Sequence, residues 1–248
     1  MRLKDKIAIV TGAASGFGEG IAHRFAAEGA KVVLADINDE NGRKVAREIG
    51  GDAVYAHTDV TSATDWQSVV KTATDTFGRL DIVVNNAGYT HLNRPMLEVD
   101  EAEFEKVYAI NVKSLFLSAH AAVPVFRAQG GGQFLNIAST AGIRPRPGLV
   151  WYNSSKSAAI GVTRSMAIEL AAEQIRVNAI NPVAGETPLL KRFMGEDTPE
   201  KRAMFKASIP MGRLSTAADI AGAAVYLCSD DASLVTGVCM EVDGGRCI

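Results

Sequence analysis

Short β-branched runs alternate with longer segments of helical period along nearly the whole chain of 248 residues. Seven runs have the length of a strand, and the segments between them, such as 18–28 and 100–126, are too long for hairpins. The predicted strands are residues 7–10, 31–36, 52–57, 80–85, 133–138, 175–181 and 238–242. Right-handed β-α-β units of this kind build a parallel sheet.

The strand sequences are apolar without alternation, as in IAIV at 7–10. Such runs are typical of strands whose two faces are both covered by helices. We therefore expect an α/β fold of the Rossmann type, with a doubly wound, seven-stranded parallel sheet and helices on both faces. No repeat or low-complexity linker interrupts residues 1–248, which favours a single domain.

Residues 185–212 break the rhythm of strands and helices, with Pro188, Pro199 and Pro210 in a mixture of apolar and basic residues. This mixture is typical of an amphipathic element that closes over a ligand. The segment is predicted to be a mobile lid, and a packed surface excursion is the alternative.

Charge and cysteine content exclude several classes of function. The net charge is −2, and the Lys and Arg residues are scattered rather than clustered, which disfavours a nucleic-acid partner. Apolar stretches fall short of the roughly 20 residues that a membrane span requires. Cys228, Cys239 and Cys247 lack paired ligand spacing, so we expect free thiols in a cytoplasmic protein. Four scattered histidines predict no catalytic metal.

A glycine-rich segment, TGAASGFG at residues 11–18, directly follows the first predicted strand and opens a helix. Gly12, Gly16 and Gly18 allow the backbone to approach a pyrophosphate, whose charge then meets the positive end of the helix. The spacing GxxxGxG differs from the usual GxGxxG, so the motif indicates a dinucleotide only in this context.

Asp36 ends the second predicted strand. A carboxylate there can accept hydrogen bonds from an adenosine ribose and would repel a 2′-phosphate. Ile37 and Asn38 supply no cation that would reverse this preference. The sequence therefore favours NAD over NADP, and an Asp that caps the next helix is the structural alternative.

Further motifs follow in order: Asp59-Val60, Asn85-Asn86-Ala87-Gly88, Asn111, Ser139, Tyr152 and Lys156. With the glycine-rich segment, they make the chain resemble the compact branch of the short-chain dehydrogenase/reductase family over nearly its whole length. The resemblance implies hydride transfer with a nicotinamide cofactor and assembly as a homotetramer. The implied cofactor contacts are Gly12, Ser15, Gly16, Phe17, Gly18, Asp36, Asp59, Val60, Asn86, Ala87, Gly88, Tyr152, Lys156, Pro182, Val183 and Thr187.

The resemblance gives particular roles to the residues of two of these motifs. The Asp59 carboxylate and the Val60 backbone would contact the adenine, although Asp59 could instead cap a helix. Ala87 and Gly88 would leave room for a ribose, and Asn85 would support the central sheet, unless these residues form a simple turn at the end of a strand.

Tyr152 and Lys156 stand four residues apart in a helical segment, which places them on one face. A free tyrosine has a pKa of about 10, so a base near neutrality needs nearby positive charge, which Lys156 supplies. A Ser139 hydroxyl at the end of a strand can orient the substrate oxygen. By resemblance, Asn111 would hold a water linked to Lys156; a kink or a satisfied polar group is the alternative.

The chain departs from many relatives at Pro182-Val183, where Pro-Gly is common. By resemblance, Pro182 would pack against nicotinamide, Val183 would meet its carboxamide through the backbone, and Thr187 would bind the same group or a phosphate. The bulkier Val183 could narrow this space, and a role in the loop alone stays open.

Substrate specificity is expected to depend on residues 90–96, 143–151 and the lid from 186 onward, because they flank the reacting centre in chain order. Arg144 and Arg146 are candidates for an anion site, with a solvated loop or a subunit contact as the alternative. His91 and Asn93 are candidates for substrate contact.

These features predict an NAD-dependent oxidoreductase acting on a secondary alcohol or ketone, a small-molecule substrate. A 3-oxoacyl-acyl-carrier-protein reductase is the enzymatic alternative. A nucleotide-sensing protein on the same fold is the non-enzymatic one, since fold does not define function.

Overall fold

A computed structural model describes residues 1–248, and its seven strands form one parallel sheet in the order β3-β2-β1-β4-β5-β6-β7. The expected fold class is confirmed, and the predicted strand ends move by one or two residues. The strands are β1 (Ile7–Thr11), β2 (Lys31–Asp36), β3 (Ala53–His57), β4 (Ile82–Asn85), β5 (Gly132–Ile137), β6 (Ile175–Pro182) and β7 (Cys239–Val242).

Helices cross over between the strands, and two more lie in the segment after β6. They are α1 (Gly16–Ala27), α2 (Asp39–Ile49), α3 (Ala63–Phe77), α4 (Glu101–Tyr108), α5 (Ser114–Ala128), α6 (Val150–Leu170), α7 (Leu190–Met194), α8 (Pro199–Ala207) and α9 (Ala217–Cys228).

Successive residues of β1 enter two different cores. Ala8 and Val10 pack with α1 and α9 on one face of the sheet, whereas Ile7 and Ile9 pack with α3 and α5 on the other. Side chains of a strand point alternately to opposite faces, so a strand covered on both sides must be apolar at every position. This arrangement accounts for the absence of alternation in the strand sequences.

The predicted helix at 100–126 is interrupted by a π-helical segment, Ala109–Lys113, between α4 and α5. The whole helical run Glu101–Ala128 is long and apolar enough to cross a membrane by length and composition, with a mean hydropathy of 1.3. It connects β4 to β5, and Leu117, Val123 and Phe126 lie in the core beneath the sheet. A crossover helix buried against a sheet passes such a test without entering a membrane.

The sheet order reverses at β1, because the chain runs outward to β3 and then returns to β4 on the other side of β1. The buried Thr11 hydroxyl spans this junction: it donates to the Val84 carbonyl and accepts from the backbone N–H groups of Asn86 and Ala87. Ligands of open α/β sheets bind at such a reversal, outside the carboxyl ends of the strands.

The segment predicted as a lid contains α7 and α8 and has a small core of its own. Val183 packs there with Leu190, Met194, Ile209 and Leu214. The Val183 side chain therefore has a packing role that glycine could not fill, and it joins the end of β6 to the lid segment. That this segment moves stays a prediction.

Gly18→Ala is expected to destabilise the protein. The added Cβ would overlap the Gly12 carbonyl oxygen and the Asn86 amide, neither of which can move without disturbing the junction of β1 and β4. Overpacking of this kind lowers the free energy of unfolding by about 1–3 kcal/mol, which is visible as a lower melting temperature.

Gly222→Ala is the matched control, because it also places alanine inside a helix. A Cβ at Gly222 meets no atom within 4 Å, so we expect a gain of about 1 kcal/mol from helix propensity. Equal melting temperatures for the two variants would contradict the close packing at Gly18.

Candidate active site

A cleft of about 420 Å³ opens where the parallel strands end. Each central strand contributes the loop that follows it, so residues far apart in the chain meet at one edge of the sheet. The predicted site residues that line the cleft are Gly12, Ser15, Gly16, Phe17, Asp36, Asp59, Val60, Asn86, Ala87, Gly88, Ser139, Tyr152, Lys156, Pro182, Val183 and Thr187.

Two predicted site residues do not line the cleft. Gly18 lies beneath the loop, where its missing side chain allows close packing against Gly12 and Asn86. Asn111 is buried behind the wall of the cleft, at 3% exposure. Direct contact between Gly18 and a bound cofactor stays a prediction, and both residues shape the site.

The loop between β1 and α1 has the geometry of an anion site. Gly12 and Gly16 have φ angles of 63° and 61°, which favour glycine. Ser15 precedes α1 in an extended conformation, and its side chain does not cap the helix. The first N–H groups of α1 consequently remain free at the cleft, where a pyrophosphate can accept hydrogen bonds from them.

Asp36 lies at the rim of the cleft and binds the glycine-rich loop. Its carboxylate accepts hydrogen bonds from the backbone N–H groups of Ala14, at 3.0 Å, and Asn38, at 2.9 Å. The cap of α2 is Asn38, whose side chain accepts from Asn41. The alternative role of Asp36 as the helix cap is therefore wrong.

Asp59 also forms a local turn, with its carboxylate accepting from the backbone and side chain of Thr61 at 2.8 Å. The cap of α3 is Ser62, so the helix-cap alternative for Asp59 is wrong as well. Contact between Asp59 and adenine stays a prediction, supported by the position of Asp59 on the cleft wall.

The two asparagines after β4 have separate tasks. The Asn85 amide donates to Ser118 at 3.0 Å and to Asn136 at 2.9 Å, which ties β4 to α5 and β5. This contact is the sheet support that the resemblance implies. The Asn86 amide donates to the carbonyls of Thr11 and Gly12 and fixes the start of the glycine-rich loop.

Tyr152 and Lys156 lie one turn apart in α6, with the Lys156 Nζ 5.9 Å from the centroid of the Tyr152 ring. The Nζ also donates to the Ile137 carbonyl at 2.8 Å. Burial lowers the pKa of Lys156 to about 8. Burial raises the pKa of Tyr152 to about 12, while a hydrogen bond with Ser139 acts in the opposite direction. The isolated phenol is therefore a weak acid that needs positive charge before it can ionise.

Ser139 is held by its own loop. The Ser139 hydroxyl accepts from the Ala141 N–H at 3.1 Å. The same loop lies close to α6, since a Cβ on Gly142 would stand 2.8 Å from the Lys156 carbonyl carbon. This close approach brings the Ser139 hydroxyl to the Tyr152 phenol.

The Asn111 side chain is a clamp within the π-helical segment. It accepts from the Tyr89 N–H and donates to the Tyr89 carbonyl and the Ser155 hydroxyl, each at 2.9 Å. Asn111 thereby joins the residue after Gly88 to the residue before Lys156. It is a satisfied polar group, and the implied water relay to Lys156 stays a prediction.

The cleft wall around Tyr152 is apolar. Ala141 and Leu149 pack against Tyr152, and the Phe193 ring of α7 lies 5.1 Å from the Tyr152 ring, centroid to centroid. Thr187 is also close to the cofactor loop, since a Cβ on Gly16 would lie 3.3 Å from its side chain. The lid segment therefore contacts both the predicted catalytic Tyr152 and the glycine-rich loop predicted to bind the cofactor.

Residues 90–96 were expected to flank the reacting centre, but none of them lines the cleft. Thr90 and His91 are fully buried, and His91 Nδ1 lies 2.8 Å from the Leu92 carbonyl. The Asn93 amide donates to the Pro147 carbonyl at 3.1 Å. Asn93 therefore supports the loop before α6, whereas His91 contacts its own segment. Neither residue lines the cleft.

Sequence reasoning missed several residues of the cleft wall. Thr58 follows β3, and the rule that ligands meet the carboxyl ends of strands would have found it. Ile37 directly follows β2 and obeys the same rule. Tyr89, Lys106 and Ile110 come from a turn or a helix and carry no local signal, whereas Leu189 and Phe205 belong to the segment predicted as a lid.

Three potential metal ligands also lie close together: Glu19 and His23, one turn apart in α1, and Glu48 of α2. None of them lines the cleft. His23 and Glu48 form a partly exposed ion pair at 3.7 Å, which is an ordinary surface contact.

Comparisons with known proteins agree with this geometry. The family model described as enoyl-(acyl carrier protein) reductase matches residues 12–246. The 4-formylbenzenesulfonate dehydrogenase of Comamonas testosteroni is 50% identical, over 99% of both chains. The 2,5-dichloro-2,5-cyclohexadiene-1,4-diol dehydrogenase of Sphingobium indicum is 38% identical, over 98% of this chain and 97% of that one.

A solved structure also matches along nearly the whole length. The crystal structure of 3-ketoacyl-(acyl-carrier-protein) reductase from Brucella melitensis, complexed with NADH, superposes with a TM-score of 0.95 at 46% identity. The match covers 99% of this chain and 100% of that one.

Asp36→Asn is expected to narrow the preference for NADH over NADPH. The substitution removes the charge that repels a 2′-phosphate and keeps one side-chain oxygen as an acceptor for the loop. We expect the dissociation constant of NADPH divided by that of NADH, both measured by nicotinamide fluorescence, to fall about tenfold or more. A tenfold change is equivalent to about 1.4 kcal/mol. Asp36→Ala should also weaken NADH binding, because the Ala14 N–H loses its partner. An unchanged ratio in both variants would refute the assignment of Asp36.

Proposed function

We propose that this chain, which belongs to the short-chain dehydrogenase/reductase family, transfers a hydride between NAD and a secondary alcohol or its ketone. The chain is an oxidoreductase, as its dehydrogenase and reductase relatives are. The observation that supports the reaction best is the buried Tyr152 phenol, with a lysine beneath it and a serine hydroxyl beside it, on the wall of one cleft.

The residues of the cleft fit a dinucleotide. The glycines of the β1–α1 loop would leave room for a pyrophosphate, Asp36 would hold the adenosine ribose, and Val183 and Thr187 would contact the nicotinamide end. When bound, the nicotinamide supplies the hydride acceptor for alcohol oxidation and the donor for carbonyl reduction, and its oxidised form is positively charged. Two charges of the same sign then lie near the Tyr152 phenol.

Tyr152 moves the proton. In oxidation its phenolate accepts the proton of the substrate hydroxyl, and in reduction its phenol donates a proton to the developing alkoxide. Ser139 holds the substrate oxygen in place through its hydroxyl. Positive charge lowers the pKa of a phenol, and a buried ammonium at Lys156 is less screened than one in water. Lys156 retains its proton at neutral pH because its pKa is about 8.

The lid segment, residues 185–212, closes the site over the substrate in this proposal. Phe193 already packs on Tyr152, and its ring reduces the access of water to the phenol. Arg192 supports the closed position, because it donates to the Thr90 carbonyl at 2.8 Å and pairs with Glu103 at 3.3 Å. Opening would break these contacts and admit the substrate.

The assembly we propose is a cytoplasmic homotetramer built through α5 and α6. Phe116 of α5 is 58% exposed and Ile168 of α6 is 85% exposed, so both helices present apolar surface that a second copy can cover. The three cysteines are free thiols, which suits a reducing compartment. The mass in solution, measured by light scattering, tests the tetramer.

Reduction of a 3-oxoacyl thioester is a second candidate, favoured by the likeness to the 3-ketoacyl-(acyl-carrier-protein) reductase of Brucella melitensis. The other two relatives are named for substrates that carry a six-membered ring. A panel of cyclic and aryl alcohols, aldehydes and ketones, run beside a 3-oxoacyl thioester with NAD and NADP, separates the two. Turnover of the thioester alone would replace our proposal, and tight NADH binding without any turnover would favour a sensor.

Tyr152→Phe should lower the rate of turnover by a factor of 100 or more, since a positioned general acid or base contributes about 10²–10⁴. The ring keeps its packing against Leu149 and Phe193, so the melting temperature and the NADH dissociation constant should change little. Normal turnover in a folded Tyr152→Phe variant would exclude the proton role.

Lys156→Met should shift the pH profile of alcohol oxidation to higher pH. The Lys156 ammonium favours the phenolate, so its loss raises the pKa of Tyr152 and the base form appears only at more alkaline pH. NADH binding should weaken as well, because the resemblance places this lysine at the nicotinamide ribose. Lys71→Met is the control, since Lys71 is an exposed residue of α3. A pH profile that moves equally in both variants would contradict the assignment.

A further inference from the structure

Arg146 lines the cleft from the loop that joins Gly142 to α6. Its guanidinium lies 4.3 Å from the centroid of the Phe205 ring and donates one hydrogen bond, to the Ser208 hydroxyl at 3.1 Å. Both partners belong to the lid segment, and both are neutral. No carboxylate forms a salt bridge with Arg146, whereas Arg79, Arg202 and Arg213 each have one.

The other charges around Arg146 are positive. Burial, together with the charges of Arg246 and Arg144, lowers its pKa to about 10. Arg246 is 9% exposed, and its Nε and Nη1 have no hydrogen-bond partner. Asp243 forms no salt bridge with Arg146 or Arg246; its carboxylate oxygens accept from the backbone N–H groups of Gly245 and Cys247.

An uncompensated guanidinium in a partly buried position opposes folding, because burial removes water that would solvate the charge. A bound anion would compensate the positive charge of Arg146. Arginine suits this task, since its planar donors match the oxygens of a carboxylate or sulfonate.

The loop that carries Arg146 is fixed on both sides. The Arg146 carbonyl accepts from the Asn153 amide at 2.8 Å, and Asn153 directly follows Tyr152. The Gly148 carbonyl accepts from the Arg94 N–H at 3.0 Å. The position of Arg146 relative to the reacting centre is therefore set by α6 itself.

Apolar side chains line both ends of the space between Tyr152 and Arg146. Leu149 and Phe193 pack at the Tyr152 end, and Phe205 stacks at the Arg146 end. Such walls accept the faces of a flat ring.

We propose that Arg146 binds a carboxylate or sulfonate group of the substrate, so that the enzyme acts on ring-bearing alcohols or carbonyl compounds with an anionic substituent. This inference rests on the proposed function, because it takes Tyr152 as the reacting end of the same cleft. The pyrophosphate of the cofactor is a separate anion, served by the loop before α1. Arg144 has a different task, since it donates to the Arg246 carbonyl of the C-terminal segment.

Binding of inert probes tests the proposal without turnover. We would measure dissociation constants of 4-methylbenzenesulfonate, 4-methylbenzoate and the neutral 4-methylbenzamide by calorimetry, with NADH present. The native protein should bind the two anions at least tenfold more tightly than the amide. Arg146→Met should abolish this difference and leave amide binding unchanged, and Arg146→Lys should retain part of it.

Arg47→Met is the matched control, because Arg47 is an exposed residue of α2 and the variant has the same net charge as Arg146→Met. It should keep the preference for anions. The melting temperature of each variant confirms folding, and the Lys variant keeps the test valid if the Met variant fails to fold.

Three results would overturn the proposal. One is equal binding of the anions and the amide by the native protein. Another is a preference for anions that survives in folded Arg146→Met, and the third is a loss of NADH affinity in this variant, which would assign Arg146 to the cofactor.

Turnover of 4-acetylbenzoate and of the neutral ketone 4-methylacetophenone with NADH then separates this inference from the proposed function. Binding of the anions that depends on Arg146, without reduction of these ketones or of any compound in the panel above, supports the anion site and refutes the proposed function. Equal reduction of both ketones, unaffected by Arg146→Met, refutes the anion site and leaves the proposed function standing.

Discussion

The parallel direction of all seven strands is the constraint on which the rest of the structure depends. Parallel strands end at the same edge of the sheet, so the loops after them meet there even when they are far apart in the chain. The reversal of strand order at β1 opens a cleft between these loops. The glycine-rich loop, the acidic residue at the end of β2 and the tyrosine of α6 thereby line one cleft.

Buried polar groups give this edge its rigidity. Thr11 and Asn86 join β1 to β4, and Asn111 joins the loop after β4 to α6 through a π-helical segment. A buried donor or acceptor without a hydrogen-bond partner is unfavourable, so moving one of these side chains away from its partner would cost free energy. The same burial raises the pKa of Tyr152 and lowers the pKa of Lys156. The packing that fixes the position of these side chains therefore also makes ionisation of the phenol depend on nearby positive charge.

Much of the site could be predicted from the sequence, since its motifs lie at the ends of strands or on one face of a helix. Gly12, Asp36 and Ser139 mark strand ends, and Tyr152 and Lys156 are one helical turn apart. Prediction failed where a contact joins distant segments: Asn93 donates to the loop before α6 instead of lining the cleft, and nothing local in the sequence pairs Phe205 of the lid segment with Arg146. The caps of α2 and α3 proved to be Asn38 and Ser62, because a strand-end aspartate can form a turn of its own instead.

The sequence by itself determined the fold class, the glycine-rich loop and the spacing of Tyr152 and Lys156, because periodicity and glycine positions are local properties of the chain. Only the tertiary structure decided which partners the other side chains around the cleft pack against. It placed Val183 in the core of the lid segment and Arg146 beside Phe205 without an acidic partner. Such relations depend on the approach of segments separated by tens of residues, and side-chain packing alone fixes their distances.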